Sequence, residues 1–184
     1  KQTKDEVRKI NKHVTREFEL LKKIKHPSIE WANDCDLDGK RGPYINFEDD
    51  FKKITLAEYV IKNIPPYHET RSILRQIAEC LKHVHGKSWI HRTLNPNTIY
   101  IHPEDKKIEI RNWVNSSSSI QTTKHEYDPS MEMPEFTSPI LQRGREIVKP
   151  SVDIFSLGCI AYFMGTGNLP PFVDGSVQVN THGL

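Results

Sequence analysis

The side chains that could do chemistry in this chain are concentrated in residues 91–98, His-Arg-Thr-Leu-Asn-Pro-Asn-Thr, and in residues 112–114, Asn-Trp-Val. The groups there that could meet a substrate or a metal ion are Thr93, Asn95, Thr98 and Asn112. A threonine hydroxyl has a pKa far above that of a carboxylate, so it does not accept a proton at neutral pH. An amide oxygen can contact magnesium, but it brings no charge to a metal site. The pattern therefore predicts polar contacts without a general base.

The outline of residues 91–98 resembles the catalytic loop of protein kinases, H-R-D-L-K-P-x-N. In that loop the Asp accepts the proton of the substrate hydroxyl, and the Asn holds a magnesium ion. Thr93 stands where the Asp belongs, Asn95 where the Lys belongs, and Thr98 where the Asn belongs. The residues that the loop shares with the family are His91, Arg92, Leu94 and Pro96. The resemblance implies a catalytic loop that kept its scaffold and lost its catalyst.

Three further landmarks follow in the order that the kinase family has them. Asn112-Trp113-Val114 comes after an apolar alternation at residues 108–110 and takes the place of Asp-Phe-Gly. Residues 137–140, Thr-Ser-Pro-Ile, take the place of Ala-Pro-Glu, with Ile140 replacing the Glu that anchors the activation segment. Residues 152–159 match the family's D-x-W/F-S-x-G helix start. On these motifs the chain is identified as similar to the protein kinases.

The resemblance implies structural roles for three retained residues. His91 is expected to pack beneath the Asn-Trp-Val turn, and Asp153 to accept hydrogen bonds from the backbone of the catalytic loop. A buried carboxylate needs such partners. Arg92 would pair in the family with a phosphorylated residue of the activation segment, for which Ser116 to Ser119 are nearby candidates. A solvent-facing Arg92 is the equally open alternative. Because Ile140 replaces the anchoring Glu, the activation segment is predicted to be loosely held.

The same resemblance implies a nucleotide site with depleted contacts. Phe47 and Glu48 would end the hinge strand beside the adenine ring, and Glu17 would pair with a lysine of an earlier strand. Lys1 or Lys4 lies at a suitable distance before Glu17, although an ordinary solvated lysine explains each of them as well. ATP is therefore the expected cofactor, bound weakly, with magnesium binding impaired and no metal ligand intact.

The elements that must position these residues fit an α+β, kinase-like fold. A charged linker is predicted to lead into a helix with an apolar stripe at Val14, Phe18, Leu21 and Ile24. A strand is predicted at residues 44–48, a short helix at 56–60 and long helices at 69–88 and 150–164, the last with apolar surface left uncovered. Residues 115–138 lack periodicity and suit a flexible activation loop. The expected domain is partial and truncated at both ends, with residues 1–48 from the N-lobe and hinge and residues 49–184 from the C-lobe.

Composition excludes several other classes. Hydrophobic residues make up 36% and charged residues 27%, no apolar run approaches the roughly 18 residues of a membrane span, and nothing resembles a signal peptide. A net charge of +2 does not argue for nucleic acid, and the lysines at 22, 23 and 25 are explained by a solvated helix end. His83 and His85 are two apart on a helix and cannot converge on one phosphate as a ribonuclease pair. These features predict an intracellular protein on the cytoplasmic side.

Four short segments resemble, more weakly, one branch of the kinases, which includes the inositol-requiring stress sensor and the 2-5A-dependent ribonuclease. They lie at residues 16–21, 56–60, 152–159 and 165–172. The sequence therefore predicts a pseudokinase that serves as an interaction module, with a protein partner or a homodimer. The alternatives left open are a genuine Ser/Thr protein kinase with degenerate motifs and a remnant with no stable fold.

Overall fold

The computed structural model describes residues 4–37, 44–47, 52–118, 133–142, 148–173 and 176–177. Helices and short antiparallel strands share these ranges, which gives the α+β class expected from the sequence. The helices are α1 (Lys4–Lys23), α2 (Leu56–Lys62), α3 (Tyr67–Gly86), α4 (Pro139–Gln142) and α5 (Ser151–Thr166). Two 3₁₀ turns cover Trp113–Asn115 and Pro134–Phe136.

The strands pair in four small antiparallel groups within the described residues. A hairpin joins β1 (Ala32–Asp36) to β2 (Tyr44–Phe47). A three-stranded sheet has the order β3 (Ile54–Thr55), β5 (Ile99–Ile101), β6 (Ile108–Ile110). The remaining pairs are β4 (Trp89–Ile90) with β7 (Ser117–Ser118) and β8 (Phe172–Val173) with β9 (Ser176–Val177). The sheet β3-β5-β6 and the loop before β5 carry the candidate site.

Helix α1 is longer than the sequence pattern suggested. Leu21 and Ile24 are buried and Val14 and Phe18 are partly buried, as the apolar stripe predicted, and Leu20, which lies outside that stripe, is buried as well. The helix begins at Lys4, so the predicted charged linker is wrong for the described part of that segment. Lysine, arginine and glutamate are good helix formers, and a charged sequence therefore extends a helix whose far end is anchored in the core.

Helix α3 lies at the centre of the core, as its sequence predicted. Its stripe is at most 1% exposed and consists of Ile73, Ile77, Leu81 and Val84. The helix begins two residues earlier than expected, directly after Pro66, and ends at Gly86. Proline has a fixed φ that suits a helix start, which explains the earlier boundary. Because α3 packs against α5 and its C-terminus leads into β4, it fixes the start of the loop at residues 91–98.

Helix α5 keeps apolar side chains on nearly every side. Ile160 and Met164 are fully buried, while Ile154 is 53% and Tyr162 44% exposed, so the uncovered apolar surface that was predicted is present. Gly167 ends the helix with φ 70°, a conformation that favours glycine. A Cβ at this position would lie 2.9 Å from Ile64 Cδ1, the end of a half-exposed side chain that can move, so the positive φ is the constraint that favours glycine.

The sheet β3-β5-β6 has two chemically different faces. Ile99, Ile101, Ile108 and Ile110 are at most 3% exposed and belong to the main core. Tyr100 and Glu109 form a cross-strand pair whose position in the strands alternates with these isoleucines. Successive side chains of a strand point to opposite faces, so Tyr100 and Glu109 lie on the second face. The backbone N–H of Ile110 donates to Ser28 O at 2.8 Å, which ties the turn after α1 to this sheet.

The segment after the Asn-Trp-Val turn is more ordered at both ends than the sequence suggested. Ser116 and Ser117 are buried, and residues 117–118 pair with β4, so the predicted flexible serine tract is wrong for them. Phe136 is buried against the ring of Phe163, with ring centroids 6.0 Å apart. Ser156 Oγ also donates to Phe136 O at 2.7 Å. The predicted loose hold is therefore wrong at residues 133–142, because aromatic burial supports them; Ser119, Thr122 and Thr123 lie outside the described residues.

Candidate functional site

The loop at residues 91–98 is held from below by one buried carboxylate. Asp153 is 0% exposed, and it accepts hydrogen bonds from His91 N at 2.9 Å and from Arg92 N at 2.8 Å. His85 Nε2 lies 2.8 Å from the same carboxylate. Arg92 has φ 75°, a left-handed conformation that few non-glycine residues adopt. The paired N–H donors on Asp153 make that turn of the backbone stable, because hydrogen bonds to a charged acceptor are stronger than neutral ones.

His91 connects this loop to the Asn-Trp-Val turn. Its ring nitrogen Nε2 lies 3.0 Å from Arg111 O, and its ring meets Trp113 edge-on with centroids 4.5 Å apart. Burial lowers the pKa of His91 below its ordinary value, although the nearby charge of Asp153 raises it. A neutral imidazole that donates from Nε2 fits the carbonyl partner. His91 thus packs the loop against the turn as a fixed, uncharged group.

The side chains of Asn95 and Thr98 are used inside the loop. Asn95 is 3% and Thr98 3% exposed. The Asn95 amide nitrogen donates to Thr93 O at 2.9 Å, and its oxygen accepts from Asn97 N at 2.8 Å and from Thr98 N at 3.2 Å. The Thr98 hydroxyl accepts from Asn95 N at 3.0 Å and donates to Asn95 O at 2.9 Å. The polar atoms of both side chains are therefore bonded within the turn.

Thr93 is also withdrawn from solvent. It is 4% exposed, and its hydroxyl has no hydrogen-bond partner among the residues that the structure describes. Next to it, Pro96 O accepts from Ala57 N at 3.1 Å, which attaches the loop to the start of α2. A buried hydroxyl without a neighbouring base is neither a proton acceptor nor an activated nucleophile. Position 93, at the centre of the loop, therefore carries a buried hydroxyl in place of a carboxylate.

The Asn-Trp-Val turn begins with a left-handed residue. Asn112 has φ 63° and ψ 58° and is exposed, and asparagine is among the residues that tolerate this conformation. Trp113 is 0% exposed, and its indole Nε1 donates to Ile110 O at 3.0 Å. The indole fills the core while Asn112 stays at the surface. The turn is therefore fixed by Trp113 burial and by backbone conformation.

Glu17 is the residue through which helix α1 contacts this turn. Its Oε1 accepts from Trp113 N at 2.8 Å. Burial raises the pKa of Glu17, while the hydrogen bond from Trp113 lowers it by a smaller amount. Lys1, Glu48 and the side chain of Lys4 lie outside the described residues, so the predicted lysine partner is not located. Phe47 ends β2 and packs, partly buried, against the main core.

Arg92 points into the protein. It is 8% exposed, and its Nη1 donates to Asn115 O at 3.3 Å. Of the two alternatives left open for it, a solvent-facing side chain is wrong. Ser116 and Ser117 are buried as well, so these two of the candidate phosphorylation sites do not present a hydroxyl to a modifying enzyme. Arg92 supports the first turn of the activation segment through its carbonyl partner.

The comparisons with known proteins agree with this arrangement of loop, turn and helices. A family model for the protein kinase domain matches residues 1–183. The chain belongs to the protein kinase family. It is 30% identical over 178 residues to human 3-phosphoinositide-dependent protein kinase 1, an alignment that covers 89% of this chain and 29% of that relative. It is 27% identical over 158 residues to the carbon catabolite-derepressing protein kinase of Candida tropicalis, covering 85% of this chain and 25% of the relative. The chain thus spans less than a third of the length of these kinases.

The residues at the two metal-binding positions of the kinase family fit a magnesium ion poorly. Magnesium prefers oxygen ligands with at least one carboxylate beside the substrate phosphates. At the two kinase positions concerned, Thr98 is bonded within its loop, and Asn112 offers an uncharged amide. No group of three or more His, Cys, Asp and Glu side chains that could hold a metal occurs among the described residues. Thr98 and Asn112 therefore do not reproduce the ligand set of the family's magnesium site.

One residue that supports this loop from helix α3 was not assigned a role from the sequence. His85 contacts Asp153, while His83 lies with its ring 5.2 Å from that of His26, so the two histidines serve different neighbours as their spacing predicted. The signal for His85 was its position one residue before the end of α3, facing the helix that carries a buried aspartate.

Within the described ranges, no helix is both long and apolar enough to cross a membrane.

Proposed function

We propose that this chain is a pseudokinase domain, which binds ATP weakly or not at all and acts as an interaction and regulatory module. The observation that carries the proposal is the closed ring between Asn95 and Thr98. These residues occupy the positions of the family's phosphate-contacting lysine and magnesium-binding asparagine. Their polar atoms are already paired within the loop, so a phosphate or a metal would have to break those bonds. That competition disfavours catalysis beyond the simple loss of charge.

The missing general base points the same way. Loss of such a group typically lowers a rate by roughly 10²–10⁴-fold. Thr93 has no carboxylate to offer and is buried, and Asn112 brings no charge to the metal position. These losses do not add simply. Several absent parts of one mechanism nevertheless leave phosphoryl transfer without a proton acceptor and without charge neutralisation.

The second candidate function is an active Ser/Thr protein kinase that uses degenerate motifs. It is favoured by the names of the relatives, which are protein kinases. Transfer of radiolabelled phosphate by the full-length protein separates the two candidates. We expect no transfer above background with magnesium. Magnesium-dependent transfer that Asn112→Ala abolishes would rule out the pseudokinase proposal.

Nucleotide binding provides an independent measurement. Thermal melting of the full-length protein with ATP, with and without magnesium, reports binding because a ligand stabilises the folded state according to its concentration over its dissociation constant. We expect a small shift that is the same with and without magnesium. A large shift that requires magnesium would contradict the account of Asn112 and Thr98.

The wider assignments are proposals of the same kind. We assign residues 1–48 to an N-lobe and hinge portion and residues 49–184 to the C-lobe, and we place the protein inside the cell with a protein partner or a second copy of itself. Light scattering of the purified protein tests self-association. The kinase–ribonuclease branch rests on short segments alone, and the full reading frame tests it, because a ribonuclease domain after this region is the feature that defines that branch.

A further inference from the structure

A compact cluster of charges lies on the second face of the sheet β3-β5-β6. Its centre is Arg111, whose Nε lies 3.1 Å from Glu30 Oε1 and whose Nη2 lies 3.5 Å from Glu109 Oε2. The guanidinium carbon of Arg111 also lies 4.1 Å from the centroid of the Tyr100 ring. Lys53 completes the set through an ion pair and hydrogen bond to Glu109. We call these five residues the Arg111 cluster.

The cluster is buried to an unusual degree for four charged side chains. The Glu30 side chain is 6% exposed, that of Glu109 11%, that of Arg111 15% and that of Lys53 23%. Charged groups are rarely found at such exposures unless they are paired. Arginine suits the central position because its planar fork can meet two carboxylates while its flat face stacks on an aromatic ring. The two carboxylates and two cations also balance in formal charge.

The position of the cluster adds a charged link between two segments that the core and the Ile110–Ser28 hydrogen bond also join. Glu30 belongs to the segment between α1 and β1, whereas Arg111, Glu109 and Tyr100 belong to β5, β6 and their immediate extension. Arg111 directly precedes Asn112, and its own N–H donates to Thr98 O at 2.8 Å. Arg111 therefore connects the two degenerate metal positions: it precedes Asn112 in sequence, and its backbone is bonded to Thr98. Its pair with Glu30 links those positions to the segment that carries α1 and the β1–β2 hairpin.

We propose that the Arg111 cluster is an internal clamp. It holds α1 and the β1–β2 hairpin against the sheet β3-β5-β6 without a bound nucleotide. This inference rests on the proposed function in one respect, namely that no nucleotide supplies the link. In an enzyme that binds ATP and magnesium between such segments, the ligand's charges contribute to their closure. Here Glu30 and Arg111 bring opposite charges of the protein itself together across the same boundary, and Glu109 and Tyr100 fix the guanidinium in place.

A double-mutant cycle read by hydrogen exchange tests the clamp in the full-length protein. The variants are Glu30→Leu, Arg111→Met and the double change, and the readout is amide exchange in α1 and β1–β2 compared with that in α3 and α5. Each single change breaks the Glu30–Arg111 pair and leaves the buried cluster with unbalanced charge, so we expect exchange in α1 and β1–β2 to accelerate by about tenfold or more. The double change removes both charges, so its effect should be well below the product of the two.

One control pair and one fallback pair of variants keep the test decisive. The exposed pair Arg75–Glu79 on α3, with side chains 76% and 56% exposed, is mutated in the same way and should show no coupling. If a single variant does not fold, Glu30→Gln and Arg111→Lys replace the two changes, since lysine keeps the charge but loses the fork and the stacking. The clamp proposal would be overturned if the double change accelerated exchange by the product of the two single effects. It would also be overturned if exchange in α5 accelerated as much as exchange in α1 and β1–β2.

A nucleotide arm distinguishes failure of the clamp from failure of the proposed function. Addition of ATP with magnesium to the wild-type protein should leave exchange in α1 and β1–β2 unchanged. Strong protection by ATP with magnesium would contradict the pseudokinase proposal even where Glu30 and Arg111 are coupled. An additive cycle without ATP protection would contradict the clamp and leave the pseudokinase proposal standing.

Discussion

Thr98 and Asn95 form a closed pair, in which the Thr98 hydroxyl accepts from Asn95 N at 3.0 Å and donates to Asn95 O at 2.9 Å. The Asn95 side-chain oxygen returns a contact by accepting from Thr98 N at 3.2 Å. A lysine at position 95 could not accept the N–H of Thr98, because an ammonium has donors and no acceptor. The substitutions in this loop are therefore matched to each other, and together they give the loop a stability that does not depend on a ligand.

The first prediction concerns the Thr98 hydroxyl. Thr98→Val keeps the shape of the side chain and leaves the Asn95 N–H and C=O without this partner in a buried loop. We expect a loss of about 1–3 kcal/mol in the free energy of unfolding, measured by denaturant titration. Thr15→Val is the matched control, since Thr15 bonds Asn11 O at an exposed site, and it should change the free energy by much less. Equal effects for the two variants would refute the internal role of Thr98.

The second prediction concerns the support of the loop by Asp153. An asparagine at this position has one acceptor oxygen and a donating NH₂ group, which cannot satisfy the N–H groups of both His91 and Arg92. We expect Asp153→Asn to lower the free energy of unfolding by about 1.5–3 kcal/mol, the range for one hydrogen bond to a charged group. Asp105→Asn, at an exposed ion pair with Lys107, is the control and should change stability by roughly 1 kcal/mol or less.

A third prediction follows from the raised pKa of Glu17. Because burial raises this pKa in the folded state above 4.5, the folded protein binds more protons than the unfolded chain between pH 4.5 and the folded-state pKa. The free energy of unfolding should therefore decrease through that window as the pH rises, and the loss should persist above it. Glu17→Gln keeps an acceptor for Trp113 N and removes the charge, so the variant should gain stability relative to wild type with rising pH.

The matched control for Glu17 lies on the same helix. Glu19 is 55% exposed and pairs with Lys23, so Glu19→Gln makes the same carboxylate-to-amide change at a solvated site of α1. Denaturant titrations at a series of pH values from 4 to 8 measure both variants. A difference between wild type and Glu17→Gln that is constant with pH would show that the Glu17 carboxyl titrates as an ordinary solvated group.

The fourth prediction is a partial rescue in the full-length protein. Thr93→Asp, Thr98→Asn and Asn112→Asp together restore the proton acceptor and the metal ligands of the family. They leave Val114 in place of glycine, and valine lacks the backbone freedom of glycine. We expect magnesium-dependent nucleotide binding in thermal melts but little phosphate transfer. The triple variant also opens the ring around Asn95, so a lower melting temperature without ligand should accompany the gain.

Two outcomes of the rescue would change the interpretation. Robust phosphate transfer would show that Val114 and Ile140 are compatible with catalysis. No gain in magnesium-dependent binding would mean that residues 91–98 and 112–114 do not serve one nucleotide site. The double variant without Asn112→Asp is the control, and it should bind ATP in a manner indifferent to magnesium.

Much of the fold could be predicted because its signals are local. The apolar stripe of α3 follows the helical period and gave a fully buried core, and the alternation of residues 108–110 gave a strand. The boundaries were less accurate, since Pro66 moved the start of α3 and the charged residues after Lys4 continued α1. The hairpin strand β1 was not predicted, because Asn33, Asp34 and Asp36 disfavour strands and depend on pairing with β2.

The candidate site was predictable in position but not in its bonding. Motif spacing brought residues 91–98, 112–114 and 153 to one place, because it encodes the order of elements in a known fold. The ring between Asn95 and Thr98 could not be foreseen from substitutions listed one at a time, since it exists only when both are present. The Arg111 cluster was missed for a similar reason. Glu30 and Arg111 are far apart in sequence, and no local pattern distinguishes a buried ion pair from two solvated charges.

The left-handed backbone at Asn112 bears on how such proteins are classified. Asparagine and aspartate are nearly the same size, and both tolerate φ 63°, so the chain trace at this turn is the one that an aspartate would also adopt. Cα positions alone therefore do not distinguish asparagine from aspartate at this turn. Surveys that infer activity from fold similarity should compare the side-chain atoms at positions 93, 95, 98 and 112 before they transfer a reaction.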